Sequence, residues 1–172
     1  VIHCVTVTTL PVKDYVAGLA GRFTNVVYVG STYDEPLPRA FIDDALTGNI
    51  PVMWTGFNIW QLTKTDADRT AFTQRYGWDA ATSYIDSTDR VTKISYNGAS
   101  LKRNELNSGG IIAPRLVRDK DVKVLGRAEC SKPDGAATAC ASVAQSGTPS
   151  FPWAVRSSGM TFIGEIPLTY LG

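Results

Sequence analysis

Histidine is almost missing from this chain of 172 residues: there is one, His3. A single imidazole excludes metal sets that need two, and it leaves acid–base chemistry with one histidine at most. An excess of charge is missing too. Seventeen basic residues against sixteen acidic ones give a net charge of +1, so there is no surplus of Lys and Arg to neutralise a phosphate backbone, and no nucleic-acid partner is expected. No apolar run approaches the roughly 20 residues that cross a bilayer as a helix. The chain contains neither the GxGxxG pattern nor the Walker pattern of phosphate-cradling loops. What remains is ordinary globular material, 44% hydrophobic and 19% charged, which excludes a mostly disordered chain.

The length fits one domain, at roughly 100–200 residues per domain. The expected organisation is a single α/β domain over residues 1–172, alternating β/α in 1–88 and completed by a β-rich part in 89–172. The chain begins at Val1 inside an apolar run and ends at Gly172 after another. It carries no charged-then-apolar leader pattern, and it reads as a piece of a longer protein.

Apolar residues on both faces of residues 1–8 predict a buried strand. Val12, Tyr15, Val16, Leu19 and Phe23 predict a helix over 12–23. Strands over 25–30 and 50–55 alternate with helices over 36–47, from Asn58 onward, and from a capping Asp66 to Arg75, with Gly48 and Gly77 as stops. Such alternation points to a parallel sheet with right-handed crossovers. Beyond it, Asn97-Gly98 between 91–96 and 100–104 marks a hairpin, and further strands are expected in 121–129, 153–156 and 160–166. Residues 131–150, rich in Ala, Ser, Thr, Gly and Pro, read as the loosest stretch.

Of three cysteines, Cys4 lies in an apolar run and reads as a buried thiol. Cys130 and Cys140 flank a small-residue stretch whose Pro133-Asp134-Gly135 turn can bring its ends together, so a disulfide is expected there; the alternative is two unpaired surface thiols. The bridge would favour an exported location: periplasm, cell envelope or outside.

Two segments hold the candidate site. Ser31, Thr32, Tyr33 and Asp34 lie where a predicted parallel strand hands over to a helix, and in open α/β sheets ligands collect at that carboxyl edge. The same residues would also serve as a capped turn, and Asp34 and Glu35 would repel an anion. In the second segment, Pro51 to Leu62, a strand turns sharply into a helix at Gly56-Phe57-Asn58. Gly56 tolerates the positive φ such a turn requires, Asn58 can cap the helix, and Trp54 and Trp60 read as core or rim packing. No residue of this bend is a nucleophile. Glu165, near the last strand, completes the set, and neither a catalytic residue, a metal nor a cofactor is expected.

The β/α order and the Pro51-Val52…Gly56-x-Asn58…Leu62 run resemble the class I glutamine amidotransferase-like fold, a three-layer flavodoxin-like sheet. That family places its catalytic cysteine at the elbow, where this chain has Gly56. The family's histidine and acid near the last strand also lack a counterpart, because residues 161–167 hold a Glu and no His. Val29 through Pro38, Asn58-Ile59-Trp60-Gln61-Leu62, Pro152-Trp153-Ala154-Val155 and Ile163-Gly164-Glu165-Ile166-Pro167 are together similar to a bacterial family of unknown function grouped within the polysaccharide deacetylase superfamily. There, such a segment precedes a deacetylase-like barrel whose metal is held by an Asp and two His, which one histidine cannot supply.

The resemblance implies a non-catalytic accessory domain of a cell-envelope protein, one that positions or recognises polysaccharide or docks a downstream deacetylase-like domain. The alternatives are a small-molecule or nucleotide module using Ser31, Thr32, Gly56 and Asn58, and a hydrolase using Asp34, Glu35 or Glu165. Asp43-Asp44 reads as a solvated helix face and His3 as a strand residue. Large aromatics ordinarily pack in cores; if any tryptophans form an exposed sugar platform, Trp78 and Trp153 are the candidates.

Overall fold

The computed structural model describes residues 5–32, 34–48, 50–86, 90–103, 110–131 and 138–166. His3, Cys4, Tyr33 and the 133–135 turn lie outside them. Among the described residues, nine strands and three α-helices follow in chain order: β1 Val26–Gly30, α1 Arg39–Thr47, β2 Val52–Gly56, α2 Asp66–Tyr76, β3 Trp78–Asp86, β4 Val91–Tyr96, β5 Ala99–Lys102, β6 Ile111–Leu116, β7 Lys123–Cys130, α3 Ala139–Gln145, β8 Ser150–Ser157 and β9 Met160–Ile163. Seven strands form one mixed sheet in the order β1-β2-β9-β8-β7-β4-β5, while β3 and β6 pair as a separate antiparallel ribbon.

This arrangement overturns the three-layer flavodoxin-like sheet. Only β1, β2 and β9 run parallel, and every other pair is antiparallel. The third parallel strand comes from the C-terminal end of the chain, not from a further β/α repeat. Residues 5–8, the described part of the strand expected over 1–8, are exposed and lie outside any strand. The helix expected over 12–23 is two short 3-10 turns, Val12–Asp14 and Leu19–Arg22, because Gly18 between them takes φ +76° and interrupts the apolar period.

The helices form where caps and apolar stripes agree. Helix α1 starts after Pro38 and turns Phe41, Ile42, Ala45 and Leu46 inward. In α2 the N-cap is Thr65, one residue before the expected Asp66, and its hydroxyl accepts the Asp68 N–H at 3.1 Å. Gly77 ends α2 in the left-handed region at φ +74°, and the Arg118 guanidinium donates to the Thr73 and Gln74 carbonyls of the last turn, both at 2.7 Å. The Asn97-Gly98 hairpin joins β4 to β5 as expected, with φ of 49° and 80°.

Two apolar cores result. The first gathers Tyr28, Phe41, Trp54, Ile59, Leu62, Phe72, Trp78 and Phe162 between the sheet and α1–α2. The second gathers Val91, Ile94, Ile111, Ala128, Cys140, Phe151 and Trp153 around the antiparallel strands. Trp78 is fully buried and Trp153 nearly so, which removes both as exposed sugar platforms: their rings fill cores. The stretch read as loosest contains α3, which the Cys130–Cys140 disulfide ties to the end of β7 across a Cα–Cα distance of 5.6 Å. No helix among the described residues is long and apolar enough to cross a membrane.

Candidate functional site

The three parallel strands end side by side. Gly30 of β1 is in register with Gly56 of β2, Thr55 beside it pairs with Ile163 of β9, and Gly164-Glu165-Ile166 follows at once. One edge therefore brings together Ser31, Thr32 and Asp34, then Gly56 and Asn58, then Glu165, segments that are remote in sequence. The approach there is close. A Cβ on Gly30 would lie 2.2 Å from the Phe57 carbonyl oxygen, and one on Gly56 would lie 2.7 Å from the Gly30 oxygen. Gly56 also takes φ +74°, as the bend requires.

Two of the expected site residues turn out to hold the scaffold. Asn58, fully buried at φ +69°, makes no side-chain cap to the 3-10 turn Ile59–Thr63 that follows it. Its amide instead donates to the Tyr28 hydroxyl at 3.0 Å and accepts from Gln61 at 3.2 Å. Gln61 then accepts the Leu37 N–H at 3.0 Å and donates to the Glu35 carbonyl at 2.7 Å. This relay binds the 31–38 loop to the bend after β2. Burial pushes the Tyr28 hydroxyl pKa above its usual range, and the Asn58 hydrogen bond offsets part of that rise.

Glu165 is likewise enclosed. Arg103 donates to one of its oxygens through Nε at 3.1 Å and Nη2 at 2.8 Å, and the Trp153 indole N–H donates to the other at 2.7 Å. The Arg103 and Glu165 side chains are 1% and 5% exposed, and Arg103 Nη1 also donates to the Val91 carbonyl at 2.8 Å. The pair joins the end of β5 to the end of β9 across the curled sheet. Glu165 thus serves as a buried clamp, with its oxygens already committed.

Among the described residues, the groups facing solvent at this edge are Ser31, Thr32, Asp34 and Glu35, while Trp60, in the turn after the bend, is half-buried. Trp54, Trp78 and Trp153 are all buried. Lys64 places its ammonium 5.8 Å from the centroid of the Trp60 ring. Hydroxyls, carboxylates and an aromatic face can hydrogen-bond and stack.

The acidic pair on α1 separates as expected for adjacent helical residues. Asp43 faces Arg39, whereas Asp44 accepts from the Tyr15 hydroxyl and the Gly18 N–H, both at 2.7 Å. Burial and the Asp44 bond push the Tyr15 pKa up to about 12.

Sequence reasoning missed the roles of Arg103 and Gln61. Arg103 had no local signal, since its partner lies 62 positions away. Gln61 lay inside a motif already singled out, but a helix was expected there, and the tight 3-10 turn changes which side chains point inward. Comparison of the chain with protein-family models, with curated proteins and with solved structures found no match.

Proposed function

We propose that this chain is a non-catalytic module of a cell-envelope, polysaccharide deacetylase-like protein, and that it recognises or positions polysaccharide at the carboxyl edge of β1, β2 and β9. The observation that carries the reading is the division of labour at that edge. Asn58 and Glu165 are buried and spent on internal hydrogen bonds. The groups offered to solvent are Ser31, Thr32, Asp34 and the Trp60 ring, which suit the hydroxyls and apolar face of a sugar. Exposed Asp34 and Glu35 argue against the alternative nucleotide site, because they would repel phosphate. The Cys130–Cys140 disulfide is compatible with an oxidising compartment, hence with the envelope or outside.

The test uses intrinsic fluorescence, because Trp60 is the tryptophan that solvent reaches. Titration with soluble oligosaccharides of N-acetylglucosamine and of glucose is expected to shift the emission, and Trp60→Ala is expected to abolish both the shift and the binding seen by calorimetry. Calorimetry silent with both sugars would remove the recognition reading.

A further inference from the structure

Strand β1 stands at the end of the seven-strand sheet, paired with β2 alone among the described residues. Its N–H groups alternate in direction. The Val26 N–H bonds the Pro51 carbonyl on the β2 side at 2.9 Å, so the N–H groups of Val27 and Val29 point to the open edge. The side chains of these two valines are also uncovered, at 63% and 55% exposure, with Met53 beside Val27 in register at 36%. The opposite face of the same strands is packed by α1, whose Phe41 meets Tyr28 and Trp54. Parallel strands ordinarily bury both faces. Here one face and one edge are open, and neither β1 nor β2 contains a charged residue or a proline of the kind that guards exposed edges.

The same chain carries a segment of matching character. Residues 5–10 read Val-Thr-Val-Thr-Thr-Leu, with β-branched residues throughout the first five positions. All six are exposed and outside any strand, with Val5 and Val7 at 63% and 78%. An unpaired strand-forming segment and an unpaired strand edge on one molecule are the two halves of an exchange.

We infer that the open edge of β1 is a self-association site: residues 5–10 of one copy add as a strand to β1 of a second copy, reciprocally, with Val5 and Val7 on the same face as Val27 and Val29 and packed beside them. The interface engages about a dozen residues a side, against roughly 20–30 in an interface of standard size. The dimer is therefore weak and concentration-dependent, with a dissociation constant in the micromolar range. The site is separate from the Trp60 edge and does not depend on the function proposed above.

Sedimentation velocity across the micromolar range tests it, together with hydrogen exchange of the Val27 and Val29 amides. The expected result is a monomer–dimer equilibrium in which these two amides slow as concentration rises. Val27→Lys/Val29→Lys and, separately, Val7→Pro should each weaken association at least tenfold, while Val117→Lys, on an exposed side chain of another segment, should leave it unchanged. Val7 lies outside every strand of the monomer, so Val7→Pro removes a donor the monomer does not use and keeps the test valid if the lysine variant misfolds. A chain monomeric at all these concentrations, or a dimer that survives Val7→Pro, overturns the proposal.

Discussion

The parallel end of the sheet and its antiparallel end are held together in different ways. Around β1 and β2 the packing is apolar and aromatic: Tyr28, Phe41, Trp54 and Phe72 fill the space under α1 and α2, and glycine backbones meet at the strand ends. Around β4, β5, β7 and β8 the core includes small residues such as Ala113, Ala128, Ala139 and Ala154, and it is tied by a buried ion pair and a disulfide. Burying a large aromatic ring contributes far more than burying a methyl group. A region rich in alanine leaves a larger share of its cohesion to specific links, and such links fail abruptly when one partner is removed.

The sharpest way to break this contrast is at the clamp. Glu165→Gln removes the Glu165 counter-charge from the Arg103 guanidinium, which is 1% exposed, and removing one partner of a buried pair costs about 3–5 kcal/mol. Urea denaturation should show that loss in the midpoint. A change below about 1 kcal/mol would show that the pair contributes little. Replacing both partners by apolar residues, Arg103→Met with Glu165→Leu, should recover much of the loss.

The disulfide comes next. It closes a loop with a sequence separation of 10, which predicts about 2–3 kcal/mol on the chain-entropy account. Cys130→Ala/Cys140→Ala should lower the denaturation midpoint accordingly and speed amide exchange in α3 before it does so in α1. Equal acceleration in both would mean that the two ends of the sheet open as one unit.

The smallest expected effect sharpens the contrast from the aromatic side. Asp68 in α2 accepts both Nη groups of Arg39 of α1, at 2.7 and 2.8 Å, and the Thr65 hydroxyl at 2.8 Å. The Arg39 bonds, ahead of the Thr65 bond, hold its pKa below the usual carboxylate range. A depressed folded-state pKa contributes stability above about pH 4, and that contribution is lost as the pH falls through and below that value. Asp68→Asn should therefore flatten the acid limb of the stability profile by less than 1 kcal/mol, since Arg39 is largely exposed. A wild-type profile already flat between pH 4 and pH 2 would exclude a contribution from this pair.

Legibility followed the range of the interactions. Helices α1 and α2, the Asn97-Gly98 hairpin and the core of β1 and β2 could be read because apolar period, caps and turn chemistry act within a few residues. Strands β3 and β6 were not anticipated. Their pairing, Trp78 with Leu116 and Asp86 with Ile111, spans intervening chain and carries a register shift that a local pattern does not encode. The candidate edge was half legible: the segments at Ser31, Gly56 and Glu165 do end side by side, yet the part each side chain plays was not readable. Asn58 and Glu165 are polar residues in loops by sequence, and only burial next to Tyr28, Arg103 and Trp153 reveals them as structural.

The residues by themselves determined where α1 and α2 end at Gly48 and Gly77, that the chain turns at Asn97-Gly98, and that Cys130 and Cys140 could meet, because each of these is decided over a handful of bonds. The tertiary structure decided that β9 joins β1 and β2 in parallel, that Arg103 reaches Glu165, and that Val27, Val29 and Met53 stay uncovered. These outcomes depend on which distant segments compete for one sheet edge, a choice made by the total burial of the folded chain and not by any stretch of it.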